Sequence, residues 1–462
     1  MTDTGAEQNV KRLVVSAGFC LCLLSVAGCA STAQGMALEE ALSPAVLRRS
    51  AAGLGVPDWK KKPLGSVTIS RHETAIKNGA YAYQHIKTLL LPDSVKTVGR
   101  GAFAFNSLES VTFSQNLDTI GDAAFVGNKL RAAAFPDTLS VIGEKTFTGN
   151  ELVSVRFNEK LRSIGAYAFA MNALETVAVP AGVKELGDWA FAGNNIRTVT
   201  LPPGMTSVGN GVFARNELRE IQFPPRLSAI GRGAFALNKL TELTLPPTIR
   251  NLGVEAFYKN NIETLALPAN LSVIPDKAFG ENKLSALTLP ETTRRIGALA
   301  FAGNKIRTLV LPGSLSFLGA GAFERNELES VRFASGIIRV IGDRAFAENK
   351  IARLNIPSSV TRIGEQAFSH NKLTGLLRLP YDMRIIGAGA FEHNLLTGVR
   401  LPYSLRSVGA GAFAGNALTE IQLGAGLAFK EEDFGEYGAE FLVFYTENKK
   451  KAGTYKFSEG AW

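Results

Sequence analysis

Cysteine is nearly missing from this chain. Cys20, Cys22 and Cys29 are the only three in 462 residues, and all lie before residue 30. The remaining chain can therefore carry neither a disulfide framework nor a cysteine metal site. Histidine is almost as scarce: His72, His85, His370 and His393 are the four. No HExxH, no P-loop and no dinucleotide-binding glycine fingerprint after a strand is present, and no Ser or Cys nucleophile has a recognisable His partner. The "GAGAF" runs at Gly319 and Gly387 belong to a repeat and are not a phosphate-binding loop. Long apolar stretches are absent too. The longest, over residues 13–26, is fourteen residues, too short for a spanning helix, which needs about 20. Lys and Arg outnumber Asp and Glu by 50 to 41, a formal charge of +9. They are scattered, without the dense runs that would single out nucleic acid, so no nucleic-acid partner is expected. No cofactor and no metal are expected. An enzyme would need a clustered acid–base pair, and nothing in the sequence gathers one. His370 and His393 beside Glu392 offer the only metal-like grouping, and rim residues of a repeat account for it equally well.

What the chain has in abundance is repetition. Phe103, Phe125, Phe147 and their successors to Phe323 recur every 22 residues, and Phe346, Phe368, Phe391 and Phe413 continue the series. One extra residue stands before Phe346 and another before Phe391. Three positions after each Phe comes an Asn, from Asn106 to Asn416. A fixed period in the low twenties is the mark of a solenoid. It overrides the expectation of about three domains of roughly 150 residues, because a solenoid grows in one dimension and each coil touches only its neighbours.

One repeat reads "AFGENKLSALTLP" over 278–290. The alternation Leu287-Thr288-Leu289 fits a short strand with one face inward, and Pro290, lacking an N–H, ends it. A β-branched residue and Gly follow, as in Ile230-Gly231, where glycine is expected to supply a turn that a side chain would strain. Stacked coils turn the Phe column into a spine and the Asn column into a ladder of amides that satisfy backbone groups. Both columns read as core. The fold class is thus an α/β-type repeat solenoid of about sixteen coils, with one parallel sheet on a concave face, short turns opposite, and a length of roughly 75 Å.

These residues, L-x-x-L-x-L with one Asn per coil, resemble the leucine-rich repeat. The "IGxxAFxxN" wall is similar to its BspA-like subclass, known from treponemes and other bacteria, and the resemblance covers 66–434. Tyr81, Gln84 and Lys77 depart from the pattern in a degenerate first coil; Pro275 replaces a Gly, and Ser114, Asn158, Ala334 and Gly424 replace the Pro. The C-terminal stretch 435–462 looks like the β-rich cap of treponemal members. At the other end, Lys11 and Arg12 precede the apolar run, and Val26-Ala27-Gly28-Cys29 resembles a bacterial lipobox. That resemblance implies a signal peptide over 1–28 and lipidation at Cys29, which would anchor the chain to a membrane; an ordinary signal peptide or an uncleaved anchor is the alternative. Residues 29–65 are a tether or an N-terminal cap, and the sequence does not choose between them.

The residues between inward Leu positions face outward. Most are small or hydroxyl-bearing, such as Ser110, Thr176, Thr198 and Thr264. The last third differs: Arg332, Arg353, Arg378 and Arg400 fall on this face, with Tyr381 and Tyr403 just past the strands. Guanidinium groups bind carboxylate, sulfate or phosphate in bidentate fashion, so these six residues form the candidate ligand patch, with a solvated strand face as the alternative. The resemblance implies an adhesin for host matrix or plasma proteins or for other cells; the residues themselves point to a non-enzymatic cell-envelope protein whose concave face binds a protein or an anionic glycan by area and charge. The alternative is a periplasmic-facing structural scaffold. Ligand identity, membrane leaflet and oligomeric state stay open at this point.

Overall fold

In the computed structural model, residues 64–334, 336–424, 430, 433–434 and 438–457 are described, all within the compact unit Val56–Trp462. The signal segment, Cys29 and almost all of 29–65 lie outside the described residues. The chain winds as a parallel β-solenoid with one coil per repeat.

Most coils contribute a principal strand of three or more residues, paired in parallel with its equivalent one coil on, as in Thr176↔Thr198 and Thr308↔Ser330; the ladder is interrupted at 220–222 and 286–288 and reduced to a single bridge at Arg353. Their burial alternates exposed, buried, exposed, which is the period of two expected for a half-buried strand. The sequence suggests one sheet; the fold contains a second parallel ladder. Its members are two-residue strands after the proline turn, grouped in sheets of five, three and seven strands. The seven-stranded sheet runs from Val273–Ile274 to Ser407–Val408. In these pairs the inner residue (Ile274, Ile296, Leu318, Ile341) is buried and faces the core.

The phenylalanines form one continuous stack. From Tyr81 to Phe434, successive ring centroids lie 5.3–5.9 Å apart with interplanar angles of 1–19°. Spacing and tilt are those of offset-stacked aromatics, and the Phe side chains from Phe103 to Phe323 are fully buried.

The asparagines fasten coil to coil. Asn304 Nδ2 donates to the carbonyls of Phe279 and Phe301, both at 3.0 Å, while its Oδ1 accepts the Leu284 N–H at 3.0 Å. The bond to the Phe of its own coil recurs at all fifteen positions, at 2.9–3.2 Å. One amide thus pairs three backbone groups that the turn would otherwise leave buried and unsatisfied, each at a cost of about 1–3 kcal/mol.

The glycine column plays a different part from the one its sequence position suggests. These residues do not need left-handed backbone; they need room. A Cβ on Gly319 would sit 2.5 Å from Ala298 N and 2.6 Å from Gly297 C, and one on Gly187 would sit 2.2 Å from Ala166 N. Neighbouring coils approach too closely for any side chain there. The left-handed conformations fall two residues on either side of Phe, where Lys145, Met171, Arg215 and Lys259 carry φ of 53–56° alongside glycines such as Gly149. The tight turns repeat regardless of residue type, because coil stacking imposes them.

The C-terminal end also departs from expectation. Among the described residues it holds the helix Gly438–Glu447 and a single strand, Gly453–Lys456, rather than a β-rich cap. Phe441 and Tyr445, four apart, lie on one helical face and are buried at the end of the ring stack, with Phe441 5.0 Å from Phe434. The strand pairs antiparallel with Glu420–Leu423 and closes the last edge of the principal sheet.

Two stability outcomes follow from this interior. Asn304→Ala should cost at least about 2 kcal/mol and speed hydrogen exchange at the Leu284 amide, read by mass spectrometry; unchanged protection there would show that the amide bond is not what holds the coil. Gly319→Ala should destabilise by about 1–3 kcal/mol through overpacking, whereas Gly149→Asn, with nothing within 4 Å of its added Cβ, should leave the thermal midpoint nearly unchanged.

Candidate ligand-binding surface

The principal strands present two outward columns; the first is exposed from Ser110 to Arg353 and the second from Thr112 to Arg400. Arg378 and Arg400 are direct register partners, with Gln422 next in the same column. Arg332 pairs with Val310 in that column, and Asn355 stands between Arg332 and Arg378. Arg353 faces Ser330 in the other column. The structure therefore brings two of the four arginines side by side, places the third two coils away, and sets the fourth across the strand. All four are exposed, and none has a carboxylate within 4.0 Å among the described residues. Glu420, a nearby acid, instead accepts from Gln422 Nε2 at 2.5 Å.

Tyr381 and Tyr403 follow the two paired arginines by three residues each. Their rings meet edge to face at 4.7 Å, and each stays 60% exposed. An aromatic is unusual at this exposed position, which holds Asp93, Gln115, Pro203, Ala269 and Gly313 in other coils. The Ser404 hydroxyl ties the two turns together, its single proton within reach of the carbonyls of both Tyr381 and Met383. The extra residues noted in the sequence fall in this region. The strand pairing slips between Gly375 and Leu376, and beside Arg332 a shallow depression is lined by Phe333, Ala334, Gly336, Asn355 and Pro357. Two rigid amphipathic rings beside two unpaired guanidinium groups can hold an acidic, partly apolar segment, the combination common in interface anchors.

The Asn rim behaves differently. Its charges pair between neighbouring coils, as in Arg131–Glu151 at 3.5 Å and Lys350–Glu327 at 3.1 Å. Hydrogen bonding from Lys350, then its charge, holds the Glu327 carboxyl below its ordinary range. A chain of contacts crosses four coils from Glu324 through Arg344 and Gln366 to Glu392, and the hydrogen bond that Arg344 donates to Glu324 raises the Arg344 pKa. Glu392 is thus engaged with Gln366. The His370 and His393 rings lie 4.6 Å apart, tilted by 40°, and no group of three or more potential metal ligands exists among the described residues. No helix among the described residues is long and apolar enough to cross a membrane.

Comparison with known families decides the classification. The family model described as BspA type leucine rich repeat region (6 copies) matches residues 74–196, 162–285, 251–374 and 370–437. This chain belongs to the BspA type leucine-rich repeat family. Such solenoids are typically non-enzymatic scaffolds whose extended surfaces bind other proteins. Among solved structures, a leucine-rich repeat protein from Bacteroides ovatus is 22% identical over 77% of this chain and 89% of its own, with a TM-score of 0.54. YopM from Yersinia enterocolitica is 21% identical over 71% and 70%, with a TM-score of 0.45. The pneumococcal vaccine antigen PcpA is 19% identical over 73% and 85%, with a TM-score of 0.39. At these identities the likeness concerns the fold. No curated protein matches the chain significantly.

One titration reports on the wall. Burial, then the charges of Glu281 and Glu255, push the Tyr258 hydroxyl up to about 12. The unfolded chain ionises near 10, so between pH 10 and 12 the unfolded state gives up a proton that the folded state keeps, and stability falls as pH rises through that window. Thermal melts across it should show a shallower decline for Tyr258→Phe than for the parent; identical slopes would contradict the assignment.

Proposed function

We propose that this BspA type solenoid is a lipid-anchored recognition protein of the cell envelope, which binds acidic segments of host matrix or plasma proteins, or of neighbouring cells, as an adhesin. The observation that carries the reading is the pair Arg378 and Arg400, in register, exposed and without carboxylate partners, bordered by the half-exposed Tyr381 and Tyr403. Arg332 and Arg353 extend the same face toward the N-terminus. Elsewhere this face is mostly Ser, Thr and Ala with isolated charges such as Arg156, Glu220 and Glu242; here charge and aromatic area coincide.

The mechanism is contact area plus bidentate charge, without a covalent step. The tyrosine rings lose less conformational freedom on binding because their edge-to-face contact already restrains them. Arginine meets a carboxylate with two parallel hydrogen bonds, which sets direction along the strand face. Membrane attachment is supported by Val26-Ala27-Gly28-Cys29 after a short apolar run, with Cys29 as the acylated residue. A family resemblance bears on fold more than on ligand, so the ligand class rests on the side chains of this face.

Arg378→Glu with Arg400→Glu should weaken binding to immobilised matrix and plasma proteins by about tenfold or more and flatten its salt dependence; equal, equally salt-sensitive binding would remove the patch from the interface. Protease treatment of intact cells should destroy the solenoid while a periplasmic marker survives. Loss only after the envelope is broken would make the chain an inward-facing scaffold.

A further inference from the structure

The second parallel ladder, which the sequence pattern does not announce, carries its own outward residues. Over the six coils from Val273–Ile274's successor to the last, the strand position reads Arg295, Phe317, Val340, Arg362, Ile385, Ser407. The residue before it reads Arg294, Ser316, Arg339, Thr361, Arg384, Arg406. Half of these twelve positions are arginine; none is lysine, aspartate or glutamate. All six arginines are exposed.

We infer that this ladder is a binding rail for a linear acidic polysaccharide bearing sulfate or carboxylate groups, laid along the solenoid axis on a face distinct from the principal strands. Three features point there. First, the charges are deliberately unpaired. Stacking brings equivalent positions of adjacent coils to roughly 5 Å, and the Asn rim uses that proximity to pair acid with base. None of the six ladder arginines has a carboxylate within 4.0 Å among the described residues. The flanking acids Glu291 and Asp382 stand on the preceding turn without reaching them, and Asp343, past the glycine, accepts the Glu365 N–H at 2.9 Å.

Second, the spacing is regular in one dimension. Arg294, Arg339 and Arg384 occupy every second coil, roughly 10 Å apart; between them the hydroxyls of Ser316 and Thr361 donate to the carbonyls of Arg294 and Arg339 and keep their lone pairs to accept from a ligand. The backbone fixes this phase, since Ser316 N–H donates to Arg294 O and Thr361 N–H to Arg339 O, both at 2.9 Å. A polymer with one anionic group per repeat unit and free hydroxyls between meets guanidinium and hydroxyl in alternation. Third, the chemistry favours sugar over nucleic acid. Exposed aromatic platforms stack nucleobases, but the aromatic ring on this ladder, Phe317, is covered by the Arg295 guanidinium 3.8 Å from its centroid. That contact orders Arg295 and occupies one face of the ring, and no second aromatic stands among these twelve positions on which a following base could stack.

The test uses the purified full-length chain in non-ionic detergent, heparin oligosaccharide as probe, and a titration over several salt concentrations. Arg294→Ser, Arg339→Ser and Arg384→Ser combined should weaken heparin binding by at least about tenfold and reduce the slope of log affinity against log salt by about three. Arg131→Ser with Arg197→Ser, two rim arginines paired with Glu151 and Glu175, should change it less than about twofold. The triple Lys variant keeps the charge and should lose affinity only partly, because the bidentate contacts go; it also separates recognition from misfolding. Unchanged heparin binding by the triple Ser variant overturns the inference. So does duplex DNA of matched charge binding the parent as tightly as heparin. Because the strand-face variants are scored separately, failure here leaves the protein-binding proposal standing, and the reverse.

Discussion

Every coil of this solenoid is tied to its predecessor by one buried amide. An asparagine donates to two phenylalanine carbonyls, one in its own coil and one in the coil before, and accepts a backbone N–H from the preceding strand. The ring stack, the close glycine column and both parallel ladders all presuppose the translation that this amide fixes. Without it, the carbonyl groups at the Phe turn would be buried without partners. With it, a short and irregular backbone becomes as well satisfied as a helix.

Fixing the interior has a consequence outside it. Because inward columns are held to Phe, Asn, Leu and Gly, sequence freedom is confined to the outward ones, and these show three different policies. The rim pairs opposite charges between coils, as Lys277 does with Glu255 at 3.2 Å. Most of the strand face carries small hydroxyl residues that neither attract nor repel. The C-terminal third of the strand face and the second ladder instead hold arginines without partners. Exposed ion pairs contribute little to stability, so leaving these unpaired costs the fold almost nothing. It keeps guanidinium groups available to an external anion.

The terminal coils show the same economy of means. A ring stack needs a lid at each end. Tyr81 begins it, stacked 5.3 Å from Phe103, and Phe434 with the helix-borne Phe441 closes it. The antiparallel strand Gly453–Lys456 covers the last open edge of the principal sheet, so the edge beside Glu420–Leu423 is not left for a second chain to extend.

The repeat itself was legible from residue identity alone. Period, Phe spine, Asn ladder and the outward columns with Arg332, Arg353, Arg378 and Arg400 all follow from spacing, because every coil meets the same neighbours and must solve the same problem. Other features were not legible. The glycines look like turn residues in sequence, yet the constraint comes from backbone of the previous coil, 22 residues away, which only stacking brings within 2.5 Å. The second ladder is two residues per coil, too short to show alternation, and emerges from register between coils. The terminal helix hid in an apolar stretch read as strand, because Phe441 and Tyr445 reveal their common face only when packed on Phe434. Which arginines become neighbours was likewise decided in three dimensions: Arg378 and Arg400 by strand pairing, and the ladder arginines by a sheet whose hydrogen bonds lie wholly between coils.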